Sequence, residues 1–228
     1  MRAMLLAAGR GSRMRPLTDH TPKPLLKAGG KPLIVHHLER LAAAGFSEVV
    51  INHAYLGMQI EQTLGNGSAW GLSIEYSREA EALETAGGVA AALPLLGDAP
   101  FLVISGDIYV EADYRQLSEG LLAKGDAALA CLWMVDNPSW HAAGDFGLVD
   151  GLIELEGRPK LTYANIGVFR PAFFASVPPG ATMPMLPLFK QAIASRQLAG
   201  RHFSGVWDNI GTPAQLAQLD AYLNESHA

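Results

Sequence analysis

The chain has 228 residues, 49% of them hydrophobic and 17% charged, with a formal net charge of −5 and a single cysteine, Cys131. About 70% of the unfolded surface can be buried at this size, so a core needs no disulfide framework or multi-cysteine zinc site, and one cysteine supplies neither. Residues 3–8, the only apolar run near the start, are broken by Gly9-Arg10 and fall far short of the ~20 residues a membrane span requires, so a cytoplasmic protein of a reducing compartment, with no membrane partner, is expected.

In chain order, residues 3–8 read as a buried strand ended by the Gly9-Arg10-Gly11 turn. Residues 32–44 carry Leu33, His37, Leu38 and Leu41 at helical spacing, and Gly45 stops them. Residues 47–52, 72–76 and 101–105 are strand-like, with helical stretches at 58–64, 86–95 and 111–123. Residues 127–135 form a further apolar strand that holds Cys131 as a core residue, with no basic neighbour to ionise it. Strands alternating with helices call for an α/β fold with a mixed, mainly parallel sheet and helices on both faces. After about residue 140, Gly144, Gly147, Gly151 and Gly157 punctuate short segments and suggest hairpins or an antiparallel excursion. A strand at 163–169, a helix at 185–195, a strand at 197–203 and a helix at 213–224 complete the chain. No linker or repeat divides it, so residues 1–228 are expected to be one domain.

Charge is unevenly spread. Residues 1–31 hold seven basic residues against Asp19 alone, a net +6, while the remainder holds 10 basic and 21 acidic residues, a net −11. A basic segment on an acidic body suits focused capture of a small anion and argues against nucleic acid, which needs cations spread over a face. An ordinary solvated charge run is the bland alternative. Residues 6–26 read L-A-A-G-R-G-S-R-M-R-P-L-T-D-H-T-P-K-P-L-L. Ala7, Ala8, Gly9 and Gly11 let backbone N–H groups approach phosphates or a base closely. Arg13 offers a planar fork and Lys23 a mobile point charge, and Pro16, Pro22 and Pro24 stiffen the loop. A dinucleotide-binding fingerprint would need glycine at the third position, where Met14 stands, and no Walker A loop is present.

The segment resembles the signature of the sugar-nucleotidyltransferases, L-A-A-G-x-G-x-R-x-x-P-L-T followed by P-K-P, almost position for position over residues 6–24. The resemblance extends along nearly the whole chain. It implies a Rossmann-like, GT-A-like fold, Mg2+ dependence, and transfer of a nucleotidyl group from a nucleoside triphosphate to a sugar 1-phosphate. Arg13 and Lys23 then become the catalytic cations. Ala7, Ala8, Gly9, Gly11, Ser12 and Ser105 join them around the nucleotide. Residues up to about 135 would hold the nucleotide and those from about 136 the sugar phosphate.

Asp107 follows the apolar run 101–105, at the carboxyl end of a strand, where open α/β sheets bind ligands. Asp208 stands in W-D-N-I-G-T-P, just before the last helix. Two carboxylates suit Mg2+, a hard cation that completes its shell with phosphates and water. Each could equally be a turn residue, but both match metal-binding aspartates of the resembled family. Gly87 and Gly88, in E-T-A-G-G (84–88), would let the backbone meet a flat base beside a helix N-terminus. A plain helix start capped by Thr85 is the rival reading. The family usually has glycine where Glu84 stands. On the sugar side, Gly147 and Asn165, with Asp145 adjacent, are similar to the family's sugar-contacting segments, although a loop or hairpin role fits them too. The family's E-K-P triplet is not intact, and spacing does not decide between Glu154 and Glu156 as its glutamate. The seven histidines show no ligand spacing, and His36 and His37 fall in the first helix as structural residues.

The compact length, E-T-A-G-G and the shortened sugar half resemble the bacterial branch of the family that uses UTP and N-acetylmuramate 1-phosphate in cell-wall recycling. The chain ends soon after W-D-N-I-G-T-P, so a C-terminal β-helix domain is not expected, and a monomer is an open option. Guanylyl transfer to mannose 1-phosphate and thymidylyl transfer to glucose 1-phosphate stay open within the family. A non-catalytic nucleotide-sensing regulator is the alternative from another class. Regulators of that kind can lose a metal carboxylate or a phosphate lysine, and here all four charged residues are present. A dinucleotide oxidoreductase is disfavoured by Met14.

Overall fold

The computed structural model describes residues 1–116, 121 and 127–225. The first part of the chain supplies β1 (Ala3–Leu6), the short β2 (Lys27–Ala28) and β3 (Lys31–Pro32), α1 (Leu33–Ala43), β4 (Glu48–His53), α2 (Gly57–Leu64) and β5 (Ser73–Arg78). Then come α3 (Glu84–Leu96), β6 (Phe101–Ser105), β7 (Ile108–Val110), β8 (Ala130–Val135), β9 (Phe146–Val149), β10 (Leu152–Glu154) and β11 (Lys160–Phe169). The last part is α4 (Leu186–Ala194), β12 (Leu198–His202), β13 (Trp207–Asn209) and α5 (Pro213–Glu225). The expected helix over 111–123 falls largely on residues outside those described.

Among the described residues nine strands form one mixed sheet in the order β5-β4-β1-β6-β11-β8-β12-β10-β9. The sheet is mixed as expected, but parallel pairing does not predominate in it. β5, β4, β1 and β6 are parallel, and so are β8 and β12, but β11 runs antiparallel to β6, β8 and β9, and β10 antiparallel to β12 and β9. The cause lies in the connections. A parallel neighbour needs a crossover, usually a helix, as α1, α2 and α3 provide in the first half, whereas the glycine-punctuated second half turns back on itself in hairpins.

Helices lie on both faces because the central strands are apolar on both. In β1, Ala3 and Leu5 pack with Ile34, Leu38 and Leu41 of α1 and Ile60 and Leu64 of α2. Met4, between them, packs on the other side with Val89 and Ala92 of α3 and Leu188 and Phe189 of α4. This is the period-two alternation of a strand buried on both faces. Cys131 is buried within β8.

A third cluster matters most for the site. Leu219 and Leu223 of α5 bury Met14, Leu26, Ala28 and Leu33, together with Tyr109 of β7. The last helix therefore clamps the N-terminal loop, with Gly29 N–H donating to Asp220 Oδ1 at 2.8 Å. Met14, where a dinucleotide fingerprint would need glycine, is fully buried and anchors that loop. Among the described residues no helix is long and apolar enough to cross a membrane.

Candidate active site

A cavity of about 460 Å3 opens at the carboxyl ends of β1 and β6. Ala7, Ala8, Gly9, Gly11, Ser12, Arg13, Lys23, Ser105 and Asp107 all line it, and Arg10, Asn52, Glu84, Thr85 and Gly211 join them. Seven candidates from the basic segment and two from the end of β6, within Lys23's reach, thus meet around one concavity, the usual place for a ligand in an open α/β sheet.

The loop is shaped by its own bonds. Gly11 sits at φ +65, and a Cβ there would lie 3.0 Å from Lys23 Cβ and 3.1 Å from Thr18 Cγ2, so both backbone angle and space favour glycine. Its carbonyl accepts Thr18 Oγ1–H at 2.9 Å and Met14 N–H at 2.9 Å. Lys23 is 7% exposed, and its ammonium donates to Asp107 Oδ2 at 2.7 Å. A lysine buried this far requires such a partner. Arg13 is exposed, and its guanidinium packs on Gly211: a Cβ at Gly211 would lie 3.4 Å from Arg13 Cζ. The W-D-N-I-G-T-P segment thereby reaches the basic loop directly.

Asp208 does not line the cavity. It sits on β13, which pairs antiparallel with β7 so that Asp208 faces Tyr109, and Ile210 N–H donates to the Asp107 carbonyl at 2.8 Å. This two-stranded ribbon brings together the backbones of two aspartates 101 positions apart in the sequence. Burial pushes the Asp208 carboxyl above the usual carboxylate range, opposed by a hydrogen bond from Asn209 N–H. A half-buried carboxylate with that tendency is one a nearby cation would stabilise in its charged form. Among the described residues no group of three His, Cys, Asp or Glu side chains forms a ready metal cage. Two hard-oxygen donors fit Mg2+, which draws its remaining ligands from phosphates and water.

Gly87 and Gly88 do not line the cavity either. Both are buried, and packing accounts for them. A Cβ at Gly87 would strike the Ala181 carbonyl oxygen, and one at Gly88 would lie 2.7 Å from Asn52 Nδ2 and 2.8 Å from Glu79 Oε1. The helix start is also not the open anion site that was expected. The N–H groups of Ala86 and Gly87 donate to the Met183 carbonyl at 2.9 and 3.1 Å, and Thr85 does not cap, because α3 begins one residue earlier. Glu84, where the resembled family has glycine, opens α3 at φ +60 and lines the cavity.

The room left by Gly88 holds a polar relay that the sequence did not announce. Asn52 Oδ1 accepts Ala7 N–H at 3.0 Å, Asn52 Nδ2 donates to Glu79 Oε1 at 2.7 Å, and Glu79 Oε2 accepts Leu83 N–H at 2.9 Å. The chain of bonds ties the glycine loop to the start of α3. Its one sequence trace is a polar residue closing the apolar run V-V-I-N at 49–52.

The three sugar-side candidates also lie off the cavity. Asp145 spends both oxygens internally, Oδ1 on His141 Nε2 at 2.9 Å and Oδ2 accepting Tyr163 N–H at 2.8 Å. Gly147 faces Glu154 across the β9–β10 hairpin and abuts Gly157, whose Cα would be 2.4 Å from a Cβ at 147. Glu154 is half-buried and Glu156 exposed. Asn165 differs. It has φ +57, at the irregularity in the β11–β8 pairing between Tyr163 and Gly167. The preceding carbonyl, Ala164, accepts Trp207 Nε1–H at 2.9 Å, beside Asp208. Strained backbone of this kind collects at functional positions.

Comparison with known proteins adds to this geometry. The family model described as nucleotidyl transferase matches residues 2–226. The chain is 46% identical over 225 residues to the N-acetylmuramate alpha-1-phosphate uridylyltransferase of Neisseria meningitidis serogroup B, covering 97% of each chain. It is 34% identical over 236 residues to the protein of the same name from Caulobacter vibrioides, covering 98% of this chain and 97% of that one. A mannose-1-phosphate guanyltransferase of Hypocrea jecorina is 30% identical over 223 residues, which are 93% of this chain and 61% of that longer protein. In fold, the chain superposes with a TM-score of 0.86 and 21% identity on a Bacillus anthracis structure containing sucrose, described as a glucose-1-phosphate thymidylyltransferase, covering 99% and 96% of the two chains.

Proposed function

The chain belongs to the nucleotidyl transferase family, and from that premise we propose that it transfers the uridylyl group of UTP to N-acetylmuramate 1-phosphate, releasing pyrophosphate. The observation that carries this reading is the near-complete similarity to a uridylyltransferase for that sugar phosphate, 46% over 97% of both chains. The meeting of Arg13, Lys23 and Asp107 around one cavity supports it.

A phosphate oxygen of the sugar 1-phosphate attacks the α-phosphorus of UTP. The new P–O bond joins sugar phosphate to UMP, and the bond to the β-phosphate oxygen breaks as pyrophosphate leaves. The nucleophile is already anionic at neutral pH, so no strong general base is required. The obstacle is repulsion between two polyanions and charge growing on the leaving group, and catalysis is mainly positioning and electrostatic stabilisation. In this reading Arg13 takes the charge of the departing pyrophosphate and Lys23 that of the α- and sugar phosphates. Ala7, Ala8, Gly9, Gly11, Ser12 and Ser105 surround the nucleotide. Asp107 and Asp208 would hold Mg2+, which when bound supplies positive charge between the phosphates. We read residues up to about 135 as the nucleotide half and those from about 136 as the sugar-phosphate half, with Asn165 on the sugar side, in a cytoplasmic enzyme.

The deciding experiment crosses several nucleoside triphosphates with several sugar 1-phosphates in the presence of Mg2+ and follows pyrophosphate release. Release fastest with UTP and N-acetylmuramate 1-phosphate is the expected result. A preference for GTP with mannose 1-phosphate or dTTP with glucose 1-phosphate would replace the substrates, and no release with any pair would indicate a nucleotide sensor.

A further inference from the structure

Trp140, in the short turn Ser139–His141, leaves 51% of its surface open to solvent. The segment that carries it is firmly held. Asn137 Nδ2 donates to the carbonyls of Ala142 and Lys160 at 3.2 and 2.9 Å, and its Oδ1 accepts Thr162 Oγ1–H at 2.9 Å. Asp145 fixes His141, whose ring stacks on Trp140 with centroids 6.1 Å apart. An indole half open to solvent on a braced turn offers a fixed aromatic face with a polar N–H at its edge to a ligand that is apolar on one side and polar on the other.

Its other neighbour gives the direction. The ring of Trp207 lies 6.3 Å away, tilted by 31°. Trp207 immediately precedes Asp208 and is tied by Nε1 to Ala164, next to the strained Asn165. The exposed indole therefore stands beside the residues assigned above to the metal and the sugar.

We propose that Trp140 is the apolar wall of the sugar subsite, its open face packing on the pyranose ring and on the N-acyl and lactyl substituents of the sugar 1-phosphate. The inference rests on the nucleotidyl-transfer reading. A pyranose presents C–H groups on its faces, the acetyl and lactyl groups add apolar surface, and an aromatic face suits both. Asp145 then acts as a positioning residue, holding His141 and through it Trp140, rather than touching the sugar.

Steady-state kinetics with UTP and N-acetylmuramate 1-phosphate test this. Trp140→Ala is expected to raise KM for the sugar phosphate about 10-fold, equivalent to about 1.4 kcal/mol, leaving KM for UTP within about twofold. Trp140→Phe restores most of the loss. A sugar KM within twofold of wild type in the alanine variant, a parallel rise in both KM values, or failure of phenylalanine to rescue overturns the proposal. If Trp140→Ala does not fold, quenching of tryptophan emission by the sugar phosphate, in the presence of a non-reacting UTP analogue, decides instead. Quenching that is smaller in Trp140→Phe than in wild type supports the wall, and equal quenching overturns it. Wild-type protein that binds the sugar phosphate but releases no pyrophosphate would refute the reaction while this binding comparison still judged Trp140.

Discussion

Lys23 Nζ lies 2.7 Å from Asp107 Oδ2, so two residues 84 positions apart share one ion pair on the wall of the cavity. The lysine is almost fully buried and the aspartate about one-third exposed. In the ligand-free protein each neutralises the other, holding in place the cation proposed to meet the phosphates and the carboxylate proposed to hold Mg2+. Lys23→Met should lower turnover roughly 10²–10³-fold, the range for losing one aimed cationic or donor group. It should cost about 1–2 kcal/mol of stability, less than a fully buried pair because water reaches Asp107. Pyrophosphate release and urea denaturation measure the two effects, and turnover within a few-fold of wild type would remove the lysine from the reaction.

Arg13 separates activity from stability more cleanly. Its guanidinium is exposed against Gly211, so Arg13→Ala should leave unfolding free energy within about 0.5 kcal/mol while slowing turnover roughly 10²–10³-fold. Loss of stability without loss of turnover would contradict the assigned role.

Gly88→Ala tests the buried relay. The new Cβ would lie within 2.8 Å of both Asn52 Nδ2 and Glu79 Oε1, closer than real Cβ contacts allow, so the Asn52–Glu79 bond must break or shift. Overpacking of this kind costs about 1–3 kcal/mol. Because Asn52 also holds Ala7 N–H, KM for the triphosphate should rise too. Thermal denaturation together with nucleotide titration would show whether the two losses occur together.

Glu84 adopts φ +60 at the first residue of α3. A left-handed angle costs a side-chain-bearing residue about 1–2 kcal/mol relative to glycine, part of which glycine gives back through unfolded-chain entropy. Glu84→Gly is therefore expected to stabilise the protein by about 0.5–1 kcal/mol. Equal or lower stability in urea would show that the glutamate makes a compensating interaction.

His37 sets a pH dependence. It is fully buried, with Nδ1 2.9 Å from Tyr114 Oη and Nε2 2.9 Å from the Ile108 carbonyl. Burial pushes it down to about 4, opposed by the Ile108 hydrogen bond, with Arg40 and His36 lowering it further and Asp107 raising it. Above its ordinary value near 6.5 the folded and unfolded chains are both neutral there and nothing is lost. Between about 6.5 and 4 the unfolded chain binds the proton and the folded chain does not, so stability falls as pH falls, by about 3 kcal/mol at the lower limit. His37→Gln should flatten the slope of unfolding free energy against pH in that window, and an unchanged slope would assign it to other groups.

Much of this protein was legible in its sequence because the signals are local. The unbroken apolar run of β1, the helical spacing of α1, and the glycines, Arg13 and Lys23 of one short loop need no distant partner to be recognised. Asp107 was visible because it ends an apolar strand. Tertiary structure decided what depends on neighbours far along the chain. An apolar run shows that a strand is buried but not which way its partner runs, so antiparallel β11 at the sheet centre could not be read. Asp208 looks like a turn residue until β13 pairs with β7. Gly88 looks like an opening for a base until Asn52 and Glu79 fill the space beside it, and Asp145 looks available until His141 and Tyr163 take its oxygens. Composition shows which polar groups a chain carries, but only packing decides which are used up inside the fold and which are left facing a ligand.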